Sequence, residues 1–162
     1  MTSGFILPAQ QLDEIEQHLG RLYDKTGATC VLLIDISGQL ISYRGTAQGV
    51  NLVSLAALAA SDIAAATEMA RLVGEREQFK FLFHEGESHN VLISTVGISF
   101  LLAVIFKNPV QIGLVRLFTK EAVTELLEVA EEFEGIRGQV AQVVDSEFTT
   151  SLATELERAF SK

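Results

Sequence analysis

The spacing of hydrophobic residues changes along the chain and predicts an alternation of helices and strands. An amphipathic helix is predicted from about Ala9 to Lys25 by apolar residues three or four positions apart: Leu12, Ile15, Leu19 and Leu22. Gly27 ends this helix, because glycine readily adopts a positive φ just past the last turn. Val31 to Ile34 is an apolar strand, and a turn around Gly38 leads into a second strand.

A long alanine-rich helix is predicted next, from Leu52 to Val73, with Asn51 as its N-cap and Gly74 after it. One face carries larger apolar residues and is expected to lie on a sheet: Leu55, Leu58, Ala59, Ala66, Met69 and Val73. The opposite face carries mostly small residues: Ala57, Ala60, Ser61, Ala64, Glu68 and Arg71. This second face either receives another helix at close distance or is an exposed surface of good helix formers.

Three more strands are predicted after this helix. Residues 79–84 form the first, with alternating aromatic side chains on one side: Phe79, Phe81 and Phe83. Two apolar strands follow at about Asn90–Val96 and Ser99–Phe106, joined at Gly97. No membrane span is expected in this apolar stretch, because a spanning helix takes about 20 residues. The element order is that of a small α/β domain.

The last part of the chain is predicted to be helical in two segments. A third helix begins between Val110 and Thr119 and ends before Gly135, and residues 135–145 are expected to be loose. A final helix then places apolar residues on one side: Phe148, Leu152, Leu156, Ala159 and Phe160. The expected organisation is one domain at 1–134, then a linker and C-terminal amphipathic helix at 135–162. That helix packs on the core, pairs with a twin or binds a partner.

Composition excludes several classes of protein. The chain has 12 basic and 21 acidic residues and a net charge of -9, which disfavours nucleic acid as a partner. Cys30 is the single cysteine, so no intrachain disulfide forms, and it is interpreted as a small core residue. Residues 1–4 show none of the features of a secretory signal, so a cytoplasmic location is expected.

Side chains capable of chemistry are present but are not arranged for it. A hairpin gathers imidazoles and carboxylates, and a metal site is not expected there because a turn directs them to different sides: His84, Glu85, Glu87 and His89. The chain has no nucleophile-elbow or phosphate-loop motif, so no catalytic site and no cofactor are expected. His18 is interpreted as a surface residue. Asp62 lies beside the apolar face of its helix, and either reaches solvent or a local cap, or contacts another protein.

The motif order resembles that of the roadblock/light-chain-seven family, and within it the bacterial MglB-like regulators of Ras-like small GTPases. The resemblance covers roughly residues 9 to 134 and is carried by five short segments: Thr26-Gly27-Ala28, Leu32-Leu33-Ile34-Asp35, Ala64-Ala65-Ala66-Thr67, Phe83-His84-Glu85-Gly86-Glu87 and Gly113-Leu114-Val115-Arg116. It implies a profilin-like α/β (α+β) fold. In this fold a five-stranded antiparallel sheet has one long helix on one face and the first and last helices on the other.

The resemblance also implies a homodimer that binds a Ras-like small GTPase and activates it without an arginine finger. Strand 79–84 and the small face of the long helix are the expected dimer contacts: Ala57, Ala60, Ser61, Ala64, Phe79, Phe81 and Phe83. The candidate partner contacts are Asp62, Glu68, Arg71 and Arg76. Two other functions stay open. One is a non-catalytic scaffold in a motor or signalling complex, and the other is a small-molecule sensor that uses Asp62 and Tyr43.

Overall fold

A computed structural model describes residues 7–160 of the chain, apart from the side chains at 140, 157, 159 and 160. Residues 1–4 and the side chains of Ala159 and Phe160, on which two expectations rested, lie outside the described part. Eight elements follow one another: α1 (Ala9–Thr26), β1 (Cys30–Asp35), β2 (Leu40–Gly45), α2 (Leu52–Val73), β3 (Leu82–His84), β4 (His89–Val96), β5 (Phe100–Lys107) and α3 (Ile112–Phe160).

The five strands form one antiparallel sheet in the order β2-β1-β5-β4-β3. The most apolar strands, β1 and β5, lie inside the sheet, and every residue of β1 is buried. Because side chains alternate across a strand, β1 contributes Leu32 and Ile34 to the core under α2, and its Leu33 faces the other way. β2 and β3 are the outer strands.

The two faces of the sheet carry different helices. A narrow apolar gap on one face is lined by α1, the sheet and α3: Ile15, Leu33, Val96, Phe100, Leu126, Val129 and Ala130. The opposite face carries α2. The fold expected from the resemblance, with one helix on one face and the first and last helices on the other, is confirmed.

The packing face of α2 differs from the prediction. Its buried residues are mostly alanines: Leu52, Ala56, Ala59, Ala60, Ile63, Ala66 and Ala70. Leu58, Met69 and Val73, which were expected on the sheet, are 66%, 52% and 71% exposed. Leu55 is half-buried against the same core. Small side chains bring the helix close to a sheet already filled by large aliphatic residues, so the larger apolar residues of α2 lie outside.

We expect Ala56→Leu to destabilise the fold by about 1–3 kcal/mol, because overpacking forces side chains off their rotamers. Ala56 is fully buried between α2 and the sheet. Ala64→Leu is the matched control, since Ala64 is exposed on the same helix. Urea unfolding of the two variants measures the difference, and equal midpoints would contradict this packing.

Polar contacts join α1 to α3 along their exposed sides. Glu125 Oε2 lies 2.7 Å from His18 Nδ1 and 3.2 Å from Arg21 Nη2, and Lys25 Nζ lies 3.1 Å from Glu121 Oε2. The Arg21 Nη2 atom also lies 2.6 Å from His18 Nδ1, so the three side chains form one cluster. The interpretation of His18 as an isolated surface residue is therefore wrong, since its side chain is 17% exposed and bonded to α3.

The stability of the fold should depend on pH through Glu125. Hydrogen bonds from His18 and then Arg21 lower the pKa of this carboxyl. Its stabilisation is thus present above the pH range in which an unfolded glutamate titrates, and disappears as the pH falls through the lowered folded pKa. Because the carboxylate is 44% exposed, solvent screening keeps the effect below about 1 kcal/mol. Glu125→Gln should unfold at lower urea than the parent at pH 7, and the two midpoints should converge in acid.

The strand predicted at residues 79–84 is shorter in the structure. β3 has 3 residues, Leu82–His84, and residues 79–81 are irregular. The Arg116 guanidinium lies 5.5 Å from the ring centroid of Phe81, and Phe83 stacks on Phe106 at 6.2 Å. Of the three phenylalanines, only Phe83 therefore belongs to the strand, and Phe81 contacts α3 from the segment before it.

The break predicted at residues 135–145 is absent, because α3 is one helix of 49 residues. Each of Gly135 and Gly138 costs about 1 kcal/mol relative to alanine, which is too little to end a helix among good helix formers. The chain divides into two compact units, the first ending at Ala130 and the second beginning at Glu131. In the second unit several apolar side chains of the helix are exposed: Ile136, Val143, Val144, Phe148, Leu152 and Leu156.

Candidate functional site

The outward surface of α2 is the main candidate for function. Local signals fix its ends: Asn51 Oδ1 accepts a hydrogen bond from the Ser54 N–H at 3.0 Å, and Gly74 follows its last turn at φ 85°. With its small face on the sheet, the helix presents its other apolar side chains to solvent. Exposed apolar groups that cluster on one surface mark contacts with other molecules.

Contacts on each side of α2 show how the helix is oriented over the sheet. Asp62 Oδ2 lies 2.5 Å from His84 Nε2 in β3, so this side of α2 faces the β3 edge. On the other side, a Cβ built on Gly38 would lie 3.0 Å from the Ala57 Cα, which places the β1–β2 turn against it. At φ 94° glycine is the residue that fits this close approach.

Helical spacing then assigns the exposed residues to two surfaces. Leu58 and Met69 lie one turn before and two turns after Asp62, and these three residues form what we call the β3-facing flank. Ser61, Ala65 and Leu72 lie opposite the buried face, and we call them the outer crest. Both surfaces are apolar with few charges, a composition typical of the centre of a protein interface.

The residues predicted for a dimer interface do not share one surface. Ala60 is buried in the core beneath α2, so its side chain does not face a second helix. Ala57, Ser61 and Ala64 are exposed. Phe79 and Phe81 are half-buried, and Phe83 is 38% exposed at the β3 edge. The residues that sequence reasoning placed elsewhere, Leu58 and Met69, are the large apolar groups beside that edge.

The candidate partner contacts also have different surroundings. Asp62 bonds to His84, so one carboxylate oxygen has a partner within the chain. Glu68 binds Arg71 through hydrogen bonds of 2.5 to 3.1 Å, and this guanidinium lowers the pKa of the Glu68 carboxyl. Arg76 is exposed in the loop after α2. Of these four residues, the structure gives only Asp62 a contact with another element of the described chain.

Other chemistry suggested by the sequence is not supported by the geometry. No group of three or more potential metal ligands occurs within the described residues. Cys30 is buried, and desolvation raises the pKa of its thiol, which favours the unreactive protonated form. Tyr43 lies on β2 and Asp62 faces β3 at the opposite edge of the sheet, so the two polar residues proposed for a small-molecule pocket do not converge.

By length and composition alone, residues Leu52–Leu72 of α2 qualify as a membrane-spanning helix. A helix that covers one face of a sheet meets the same criteria, and α2 packs in this way. The apolar stretch between residues 91 and 106 consists of strands β4 and β5. A membrane span is therefore not demonstrated by these features.

Comparisons with known proteins agree with this architecture. Residues 14–106 match the family model of the Roadblock/LC7 domain. The chain belongs to the Roadblock/LC7 family. Myxococcus xanthus MglB is 36% identical to this Roadblock/LC7 chain, with a TM-score of 0.74 over 80% of it and 96% of the MglB chain.

Two further MglB structures are similar to the Roadblock/LC7 chain. Gliding protein MglB from Thermus thermophilus is 28% identical, with a TM-score of 0.74 over 82% of this chain and 99% of that one. A structure described as MglB with tetrameric arrangement is 29% identical, with a TM-score of 0.75 over the same shares. Acanthamoeba castellanii profilin II, at 14% identity, a TM-score of 0.52 and 69% and 95% coverage, shows the fold alone. Curated protein sequences gave no match.

Sequence reasoning missed the two apolar residues of the β3-facing flank in this Roadblock/LC7 domain. Leu58 and Met69 were assigned to the sheet because large apolar residues usually form the packing face of a helix. The missing signal was the size of the opposing side chains. A sheet face built from Leu32, Ile34 and Ile105 favours alanine opposite it.

Proposed function

We propose that two copies of the chain pair through the β3 edge and the β3-facing flank of α2. In this arrangement the outer crests of the two α2 helices form a platform that binds a Ras-like small GTPase in the cytoplasm. Family membership and 36% identity to MglB support the choice of partner. The observation that carries the proposal is the exposure of Leu58, Met69 and Leu72 on a helix whose alanines face the sheet.

The edge strand supports pairing between copies. β3 pairs with β4 on one side only, and an open strand edge favours association with another strand. Covering this edge with a twin would also remove Leu58 and Met69 from water, since both lie on the side of α2 toward β3. One symmetric contact thus satisfies both features.

We further propose that the protein promotes GTP hydrolysis without supplying an arginine. A two-pronged contact with Glu68 directs Arg71 along the helix surface, which supports this proposal. A regulator of this kind acts by binding the hydrolysis-ready state of the GTPase more tightly than its other states. A scaffold role is the second candidate, in which the GTPase binds without a change in its hydrolysis rate.

The test mixes the purified protein with small GTPases encoded beside its gene and follows phosphate release. Leu72→Glu should abolish binding, and Val53→Glu should not, since Val53 is equally exposed on another side of α2. Arg71→Ala and Arg76→Ala should each keep stimulation within about tenfold, because loss of an arginine finger costs roughly 10³–10⁵. Binding with an unchanged hydrolysis rate would select the scaffold, and no binding in either nucleotide state would contradict both roles.

A further inference from the structure

A carboxylate and an imidazole connect α2 to the outermost strand of the sheet. Asp62 Oδ2 and His84 Nε2 lie 2.5 Å apart, although the residues are 22 positions apart in the chain. The carboxylate accepts and the imidazole N–H donates, which is a charge-assisted hydrogen bond because a carboxylate is an ionised acceptor. The side chains are 31% and 57% exposed, respectively, so the bond lies at the surface of the domain.

The strand that this bond reaches is weakly held by its own ladder. β3 has 3 residues and pairs with β4 alone, through Leu82, Phe83 and His84. The chain before it, from Gly74 to Phe81, contains neither helix nor strand. A strand this short at a sheet edge opens easily unless other contacts hold it. His84 is at its last position, next to the turn that leads into β4.

The Asp62–His84 bond also lies beside apolar residues of the β3-facing flank, the surface proposed to bind a second copy of the chain. Leu58 and Met69 flank Asp62 along the same side of α2, and both are more than half exposed. A partner that covers them would also remove water from Asp62 and His84. A carboxylate left without its donor in such a place costs free energy, whereas a neutral imidazole or a methyl group costs less.

We propose that Asp62 and His84 form a clasp that positions β3 against α2 and so determines the edge to which a second copy binds. This inference rests on the proposed function, because it takes that edge as the pairing surface. The two residues act through β3 and are positioning residues without a contact to the GTPase. The clasp replaces the interpretation of Asp62 as a direct partner contact.

Amide hydrogen exchange and analytical ultracentrifugation of the full chain test the clasp. Asp62→Ala should speed exchange of the β3 amides about tenfold and weaken self-association by a similar factor, as expected for loss of one charge-assisted hydrogen bond. Asp62→Asn should restore most of both, because the amide oxygen still accepts from the imidazole. Glu68→Ala is the matched control, since its pair with Arg71 stays within one turn of α2 and links no other element.

Self-association of the His84→Ala variant distinguishes the positioning role from a purely structural one. It leaves the Asp62 carboxylate unpaired at the pairing surface, so self-association should weaken about 30-fold or more. The double variant Asp62→Ala/His84→Ala should bind better than His84→Ala alone. Equal effects of the single and double variants would overturn the clasp at this surface.

The outcomes separate this inference from the proposed function. A parent protein that stays monomeric at every concentration contradicts the proposed pairing and the positioning role together, while β3 exchange still reports on the bond. Unchanged β3 exchange in Asp62→Ala overturns the clasp even if the protein is a dimer. A dimer with accelerated β3 exchange in Asp62→Ala but normal self-association also overturns the positioning role.

Discussion

Replacing Gly45 by alanine is expected to destabilise the fold by about 3 kcal/mol or more. Gly45 ends β2 at φ 111°, and a Cβ there would lie 2.4 Å from the Thr29 carbonyl oxygen and 2.7 Å from Tyr23 Cε2. Backbone strain at a positive φ costs about 1–3 kcal/mol, and the clash with a backbone oxygen adds to it. Urea unfolding measures the loss.

Substitutions at two other glycines separate the effect of backbone strain from the effect of the steric clash on stability. Gly49 also has a positive φ, 77°, but its Cβ would meet nothing within 4 Å, so Gly49→Ala should show the strain alone. Gly20 lies inside α1 with the same free space, and Gly20→Ala should be neutral or stabilising by up to about 1 kcal/mol. Equal losses at Gly45 and Gly49 would contradict the close packing of β2 on α1.

Leu58→Glu is expected to weaken self-association at least about 100-fold. The leucine is 66% exposed in the monomer and lies one turn before Asp62 on the β3-facing flank. Glutamate at this position would bring a second carboxylate next to Asp62, and covering it with another protein would require its desolvation. Sedimentation over a range of concentrations gives the dissociation constant.

Val53→Glu is the control for this charge substitution. Val53 is 69% exposed on the same helix, but it lies about 140° around the helix from Leu58. Its self-association should match that of the parent. If both variants stay paired, the flank is not the pairing surface, and if both dissociate, the effect comes from added charge alone.

Elements with local signals were predictable from the sequence. The bounds of α2 agree with the prediction because Asn51 caps its first turn and Gly74 adopts a left-handed conformation after its last. The apolar strands β1, β4 and β5 were also found within one residue, and the start of α3 lies inside the predicted range from Val110 to Thr119. The prediction made β3 too long, because the period-two pattern of phenylalanines includes Phe79 and Phe81, which precede the strand in an irregular segment.

The orientation of α2 could not be predicted in the same way. Nearly every residue of this helix is apolar or small, so periodicity gives no strong contrast between its two sides. The side of α2 that lies on the sheet is determined by the volume available between the helix and the strands. The close approach of Gly38 to Ala57 shows that this volume is small. That volume is a property of the folded sheet.

The candidate site was only half visible in the sequence. Asp62 was singled out as a carboxylate that needs a partner, and His84 as an imidazole near several acids. Their contact requires the His84 side chain to lie on the side of the sheet that carries α2. The spacing of residues within a single element does not predict this. The Glu125 contacts with α1 were missed for the same reason, since they join residues more than 100 positions apart.

The alanine-rich underside of α2 has a consequence for local unfolding. Five of its seven buried side chains are single methyl groups, which remove little apolar area from water compared with the leucines of α1 and β5. The helix that carries the proposed interaction surface is thus expected to gain less from burial than a helix packed through leucines. A protein bound to α2 would stabilise the packed state of this helix. Its binding would therefore lower the rate at which α2 opens locally.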